Sequence, residues 1–152
     1  ALSPFNAWIF SKSLETLSAR MDKHCDNALK LAQFLESHPG VASVKYPFLE
    51  SHPQHELAQK QMKAGGGIVV FEVKGGYEPS KSFLDHIEML SLSANLGDTR
   101  TIATHPASTT HSKLTEEERQ AVNITPGLIR ISVGLEDIDD ITADIDNALK
   151  AV

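Results

Sequence analysis

The sequence predicts an α/β domain of α+β character. Segments with the alternation of strands are interleaved with segments of helical periodicity, which is the pattern of a sheet covered by helices. Glycine and proline punctuate most of the junctions between them. Size agrees: 152 residues, 41% apolar and 22% charged, can bury a core without disulfides or metals. No internal repeat or low-complexity linker divides the chain.

Taken in order, Ser3 followed by Pro4 is a helix start, a hydroxyl cap with proline at the first helical position. One long helix is expected from there to about Ser37. Its stripe is Leu14, Leu17, Met21, Cys25, Ala28, Ala32 and Leu35, with Leu31 and Phe34 off the stripe and pointing to a second buried contact. His38-Pro39-Gly40 stops it. Val41 to Tyr46 reads as a short strand closed by Pro47, and Ser51 to about Met62 as a polar helix broken by Gly65-Gly66-Gly67. Ile68 to Val73, β-branched and aromatic, has the length of a core strand.

Gly75-Gly76 ends that strand, and a helix is expected over Pro79 to Leu90. Ser91 to Leu96 reads as a strand ending at Gly97-Asp98, and Thr101 to Thr104 as a short extension before Pro106. Thr115 with Glu118 three residues on is a capping box for a short helix. Leu128 to Val133 is a strand whose alternation puts Arg130 and Ser132 on one face and Ile129, Ile131 and Val133 on the other. The final helix carries Glu136, Asp137, Asp139 and Asp140 at its start and Lys150 near its end, matching the helix dipole, with a stripe of Ile138, Ile141, Ile145 and Leu149.

Composition narrows the function classes. The formal charge is −6, from 20 acidic and 14 basic residues, which argues against a nucleic-acid surface and gives no reason to expect an anionic membrane as partner. The one cysteine, Cys25, cannot form an intramolecular disulfide, and no apolar run is long enough to span a bilayer. The expected compartment is the cytoplasm. Phe5, Trp8, Ile9 and Phe10 cluster near the first residue, and such a cluster normally packs against something, so the chain is expected to be a piece of a larger protein.

Arg130 is the sharpest candidate for chemistry. A guanidinium fork suits a planar carboxylate, and the alternative is a structural ion pair with Glu136 or Asp137. Asn95-Leu96-Gly97-Asp98 is a polar turn at a strand end, either facing a polar ligand or a plain Asx turn. Pro106 to His111 gathers hydroxyls and a histidine in a loop that either binds a ligand or leads into a helix. The pairs His52 with His55 and His105 with His111 lack the further ligands of a zinc site, and no metal is expected. Cys25 lies on the helix stripe, as a core thiol would. There is no dinucleotide fingerprint, no phosphate loop and no Ser-His-Asp signature.

Several segments in fixed order resemble the pyridoxal-phosphate (PLP) enzymes of Cys/Met metabolism. They are Leu2-Ser-Pro-Phe-Asn-Ala-Trp8, Arg20-Met-Asp-Lys-His24 with Asn27-Ala28, Ala94-Asn-Leu-Gly-Asp98, His105-Pro-Ala-Ser-Thr-Thr-His111 and Leu128-Ile-Arg-Ile-Ser-Val-Gly-Leu-Glu-Asp137. The resemblance runs the length of the chain. It implies the small C-terminal domain of fold-type I PLP enzymes: a mostly antiparallel sheet with helices on one face, preceded by a long linking helix. On that reading residues 1–40 link from a large PLP domain and residues 41–152 form the substrate-side domain.

The same resemblance implies site residues: Arg130 for the substrate α-carboxylate, with Asn95 and Thr110 lining the same pocket. It places the cofactor lysine upstream, in a Ser-x-Thr-Lys setting that no lysine of this chain has, so no catalytic or cofactor-binding residue is expected here and the fragment is expected to be inactive alone. Asn95 at its position and the stretch from Ser51 to Gly76 look closest to the O-succinylhomoserine sulfhydrylases, with the O-acetyl enzymes next. These replace the acyl group of O-acylhomoserine by sulfide to give homocysteine, and the parent is expected to be a homotetramer. Ala94-Asn95 in place of a Glu-Ser pair argues against cystathionine synthases and lyases. A stand-alone, non-catalytic small-molecule-binding module is the alternative from another class.

Overall fold

The Ser3-Pro4 start behaves as its chemistry requires. In the computed structural model, which describes residues 1–152, the Asn6 N–H donates to the Ser3 hydroxyl at 3.2 Å and Pro4 opens helix α1 (Pro4–Glu15). The expected single helix is in fact two, because Thr16 leaves helical geometry at φ −103° and ψ 5° before α2 (Leu17–Ser37) begins. The physical reason lies in the last turn of α1. Arg20 reaches back to donate to the Ser13 carbonyl at 2.6 Å and to the Thr16 hydroxyl at 3.4 Å, so that turn is satisfied by a side chain and not by a continuing helix.

The stripe also divides there. Ala28, Ala32 and Leu35 are buried as expected, joined by Leu31, whereas Leu14, Leu17 and Met21 remain exposed. No residue of α1 is buried. On α2 the buried face opens with two polar residues, His24 and Asn27, which apolar periodicity could not find.

Five strands form one sheet in the order β1-β2-β5-β4-β3: β1 (Val41–Lys45), β2 (Ile68–Val73), β3 (Ser91–Leu92), β4 (Ile102–Thr104) and β5 (Leu128–Ser132). All pairings are antiparallel except β3 with β4, so the sheet is mostly antiparallel as the resemblance implied. Around β5, Arg130 stands opposite Val70 on β2 and Thr104 on β4, and Ser132 opposite Ile68 and Ile102. Strand β3 is shorter than the expected Ser91–Leu96, because the chain after it is drawn over the sheet by side chains of β5.

Helices α2, α4 (Tyr77–Asp85) and α6 (Ile138–Lys150) pack with the sheet around one core of Ala28, Leu31, Leu35, Val69, Phe71, Phe83, Ile129, Ile131, Ile141 and Ile145 among others. Phe71 and Phe83 meet edge to face at 5.6 Å. Helix α4 stops at Asp85 instead of Leu90 because the Glu88, Met89 and Leu90 amides donate to the Asp144 carboxylate of α6 at 3.0 to 3.1 Å. Two short helices lie outside this layer. The polar α3 (His55–Gln61) begins later than expected, and α5 (Glu116–Ala121) is capped by the full Thr115–Glu118 box. Asp137 caps α6 through the Asp139 N–H at 2.9 Å.

Candidate functional site

The alternation of β5 leaves its polar side chains on the sheet face opposite the helices. Arg130 is half-buried there, and Ser132, two residues on, is 3% exposed. The expected alternative, an ion pair between Arg130 and Glu136 or Asp137, does not form. Glu136 accepts from the Thr101 N–H at 2.6 Å and the Thr101 hydroxyl at 2.8 Å, and Asp137 is occupied as the α6 cap. Asp98 is committed as well. Hydrogen bonds from the Arg100 side chain and backbone hold its carboxyl down at about 2.

Arg130 instead takes hold of the loop that follows β3. Its Nη2 donates to the Ala94 carbonyl at 2.8 Å and to the Asn95 carbonyl at 3.2 Å. Its Nε is buried without a partner and its Nη1 has no hydrogen bond to protein, so the fork keeps donors for a further acceptor. The same loop is tied at its far end, where the Gly97 N–H donates to Ser132 Oγ at 3.1 Å, and internally, where the Asn95 N–H donates to Ser93 Oγ at 3.2 Å. Gly97 adopts φ +85°, a conformation that suits glycine.

Of the residues implied by the resemblance, Arg130 and Asn95 are therefore together, joined through the Asn95 main chain, with the Asn95 side chain exposed. Thr110 lies elsewhere in the hydrogen-bond pattern. It is exposed in the turn after the 3-10 segment Pro106–Ser108, and its hydroxyl is 2.8 Å from His111 Nδ1. His105, by contrast, is buried between the Ser108 hydroxyl and the Pro126 carbonyl, each at 2.8 Å, with Tyr77 against its ring.

Beside the loop opens a pocket of about 230 Å³, lined by Met21, His24, Ile68, Leu96, Ser132 and Val133 among others. His24 Nδ1 lies 2.6 Å from the Val133 carbonyl, which can only accept, so that nitrogen carries the proton. Asn27 donates to the Gly134 and Glu136 carbonyls at 3.1 and 2.9 Å. Together with Thr101, whose hydroxyl accepts the Gly134 N–H at 2.8 Å, these contacts fix the turn that leaves β5. His24, Asn27, Thr101 and Ser132 are not among the candidate site residues that the sequence points to. The signal for the first two was their place on the otherwise apolar face of α2, and for Ser132 its alternation with Arg130.

Residues 1–150 match the family described as Cys/Met metabolism PLP-dependent enzyme. The chain is 50% identical over 151 residues to an O-succinylhomoserine sulfhydrylase of Pseudomonas aeruginosa, across 99% of this chain and 38% of that protein. It is 48% identical over 151 residues to an L-methionine γ-lyase of Fusobacterium nucleatum subsp. polymorphum, with the same coverage of 99% and 38%. Among solved structures, one described as an O-acetylhomoserine (thiol)-lyase of Campylobacter jejuni, with N'-pyridoxyl-lysine-5'-monophosphate, superposes with a TM-score of 0.92 at 45% identity, over 99% of this chain and 36% of that one. The chain thus spans about 38% of the length of the curated relatives it matches. On the end-to-end family match and these relatives, the chain belongs to the Cys/Met metabolism PLP-dependent enzymes.

Proposed function

We propose that this chain is the substrate-side part of an O-acylhomoserine sulfhydrylase, with O-succinylhomoserine as acyl donor and Arg130 as the anchor of the substrate α-carboxylate. The observation that carries the reading is the state of Arg130. It is a half-buried guanidinium with no acidic partner, a buried unpaired Nε and an uncommitted Nη1, on the open face of a rigid strand. A carboxylate is the acceptor that such a fork matches in shape and charge. Held there, the substrate's Cα would be fixed in orientation, which is how a binding residue lowers a barrier it does not itself cross.

The residues present fit the carboxylate end of the substrate and do not fit the cofactor. No lysine lines the pocket beside the Arg130-held loop, and no lysine of the chain stands in the family's Ser-x-Thr-Lys setting. The PLP-bearing part therefore belongs to the rest of the parent protein, with residues 1–40 as the link to it. Exposure of Phe5, Trp8 and Phe10 on α1 supports that role. The parent would be a homotetramer, and this chain alone inactive.

A second reading is a methionine γ-lyase, favoured by relatives of that name at 48 to 50% identity. Both reactions need the carboxylate anchor, and they differ in what leaves from Cγ and what replaces it. The full-length parent decides between them. Supplied with O-succinylhomoserine and sulfide, it should form homocysteine faster than it consumes methionine. Preferential breakdown of methionine would select the lyase instead.

A further inference from the structure

Ser132 follows the polar alternation of β5 and is nevertheless buried. It sits in β5 between Ile68 on β2 and Ile102 on β4, where an apolar side chain would satisfy the sheet, and it is 3% exposed. A hydroxyl buried in such a row is costly unless it is bonded. The hydrogen bond it makes is to the Gly97 N–H at 3.1 Å, in the loop after β3 and not in the core. Arg130, on the same face of the same strand, holds the Ala94 and Asn95 carbonyls of that loop. The two side chains therefore grip the loop at both ends and hold it against the sheet.

The division of labour between them follows from donor chemistry. A carboxylate binds a guanidinium best through paired nitrogens, and Nη2, which both such pairs (Nε with Nη2, Nη1 with Nη2) need, is already shared with two loop carbonyls. When a carboxylate competes for Nη2, the loop loses part of its hold at Ala94–Asn95. The Ser132 contact does not draw on Nη2, so it stays in place while the guanidinium is shared, and the Ser132 O–H proton remains free to donate. We propose that Ser132 is a positioning residue for the carboxylate site: its hydroxyl pins Gly97 so that Asn95 stays beside Arg130 while the guanidinium turns its donors to the ligand. The inference rests on the reading of Arg130 given above.

The test uses the full-length holoenzyme in variants Ser132→Ala, Ser132→Thr and Arg130→Ala. Binding of a non-reacting straight-chain α-amino acid is titrated, and KM and kcat are measured for the acylhomoserine. Loss of one neutral hydrogen bond corresponds to roughly fivefold in an equilibrium constant. Ser132→Ala should weaken amino-acid binding and raise the acylhomoserine KM by about that factor, leave the sulfide KM unchanged, and shift kcat less than KM. Ser132→Thr, which keeps the hydroxyl, should restore binding. If Arg130→Ala abolishes binding but Ser132→Ala leaves it unchanged, the role of Ser132 is overturned and the carboxylate reading stands. If Arg130→Ala also leaves binding unchanged, the carboxylate reading itself fails. Should Ser132→Ala not fold, Ser132→Cys, close in size but a weak acceptor, must show the same rise; unaltered binding in that variant overturns the proposal.

Discussion

Glu136 gives both carboxylate oxygens to Thr101, one to its N–H at 2.6 Å and one to its hydroxyl at 2.8 Å. This contact ties the start of β4 to the turn before α6. Glu136 is therefore not an ion-pair partner of Arg130, six residues upstream. Replacing Glu136 by Ala should leave the buried Thr101 amide unpaired and destabilise the chain by about 1–3 kcal/mol, measured by urea unfolding. Unchanged stability would mean the contact does not hold the turn.

Gly134 sits inside the same contact. A Cβ there would come within 2.5 Å of both the Thr99 carbonyl oxygen and the Thr101 nitrogen, and would strike the Glu136 carboxylate. The first two are main-chain atoms and cannot swing aside. Gly134→Ala should therefore destabilise by about 1–3 kcal/mol, the range of overpacked interiors, or prevent folding. A variant with the parental midpoint in thermal unfolding would contradict the close packing described.

Asp144 caps three successive amides, Glu88 to Leu90, from the flank of α6. Asp144→Ala should cost about 1–2 kcal/mol, as the loss of a helix cap does. It should also speed hydrogen exchange at those three amides more than elsewhere. Uniform acceleration across the chain would point to global destabilisation instead.

Tyr46 is fully buried, and its hydroxyl donates to the Gly66 carbonyl at 2.9 Å. Burial pushes its phenol well above its ordinary value of 10.0. A raised folded-state value means the neutral form is favoured by folding. That contribution is complete below pH 10, the unfolded value, and is lost as the pH climbs from there towards the folded one. In an alkaline absorbance titration Tyr46 should ionise only with unfolding, and Tyr46→Phe should lose about 1 kcal/mol at neutral pH. Ionisation of Tyr46 in the intact fold near pH 10.0 would contradict its burial.

How much of this was legible in the residues depended on whether local chemistry or tertiary contact decides each element. Ile68–Val73, the Thr115 box and the Ile141, Ile145 and Leu149 face of α6 appear where periodicity and capping place them. Thr16, Asp85 and Leu92 end elements early because Arg20, Asp144 and Arg130, distant or out of phase, take up the backbone groups that a continuing helix or strand would need. The face of β5 that carries Arg130 was visible from strand alternation. The tether from Ser132 on that face was not, since a serine in a strand looks the same whether its hydroxyl meets water or a loop amide 35 residues away.

Arg130→Lys in the full-length enzyme, with KM for the amino-acid substrate as the readout, separates a carboxylate anchor at Arg130 from an arginine that only holds the loop after β3. Lysine keeps the charge but offers a point donor in place of a planar fork. The expected result is a KM raised by at least about tenfold, equivalent to about 1.4 kcal/mol of lost binding, with folding unaffected. A variant with the parental KM would contradict the anchor.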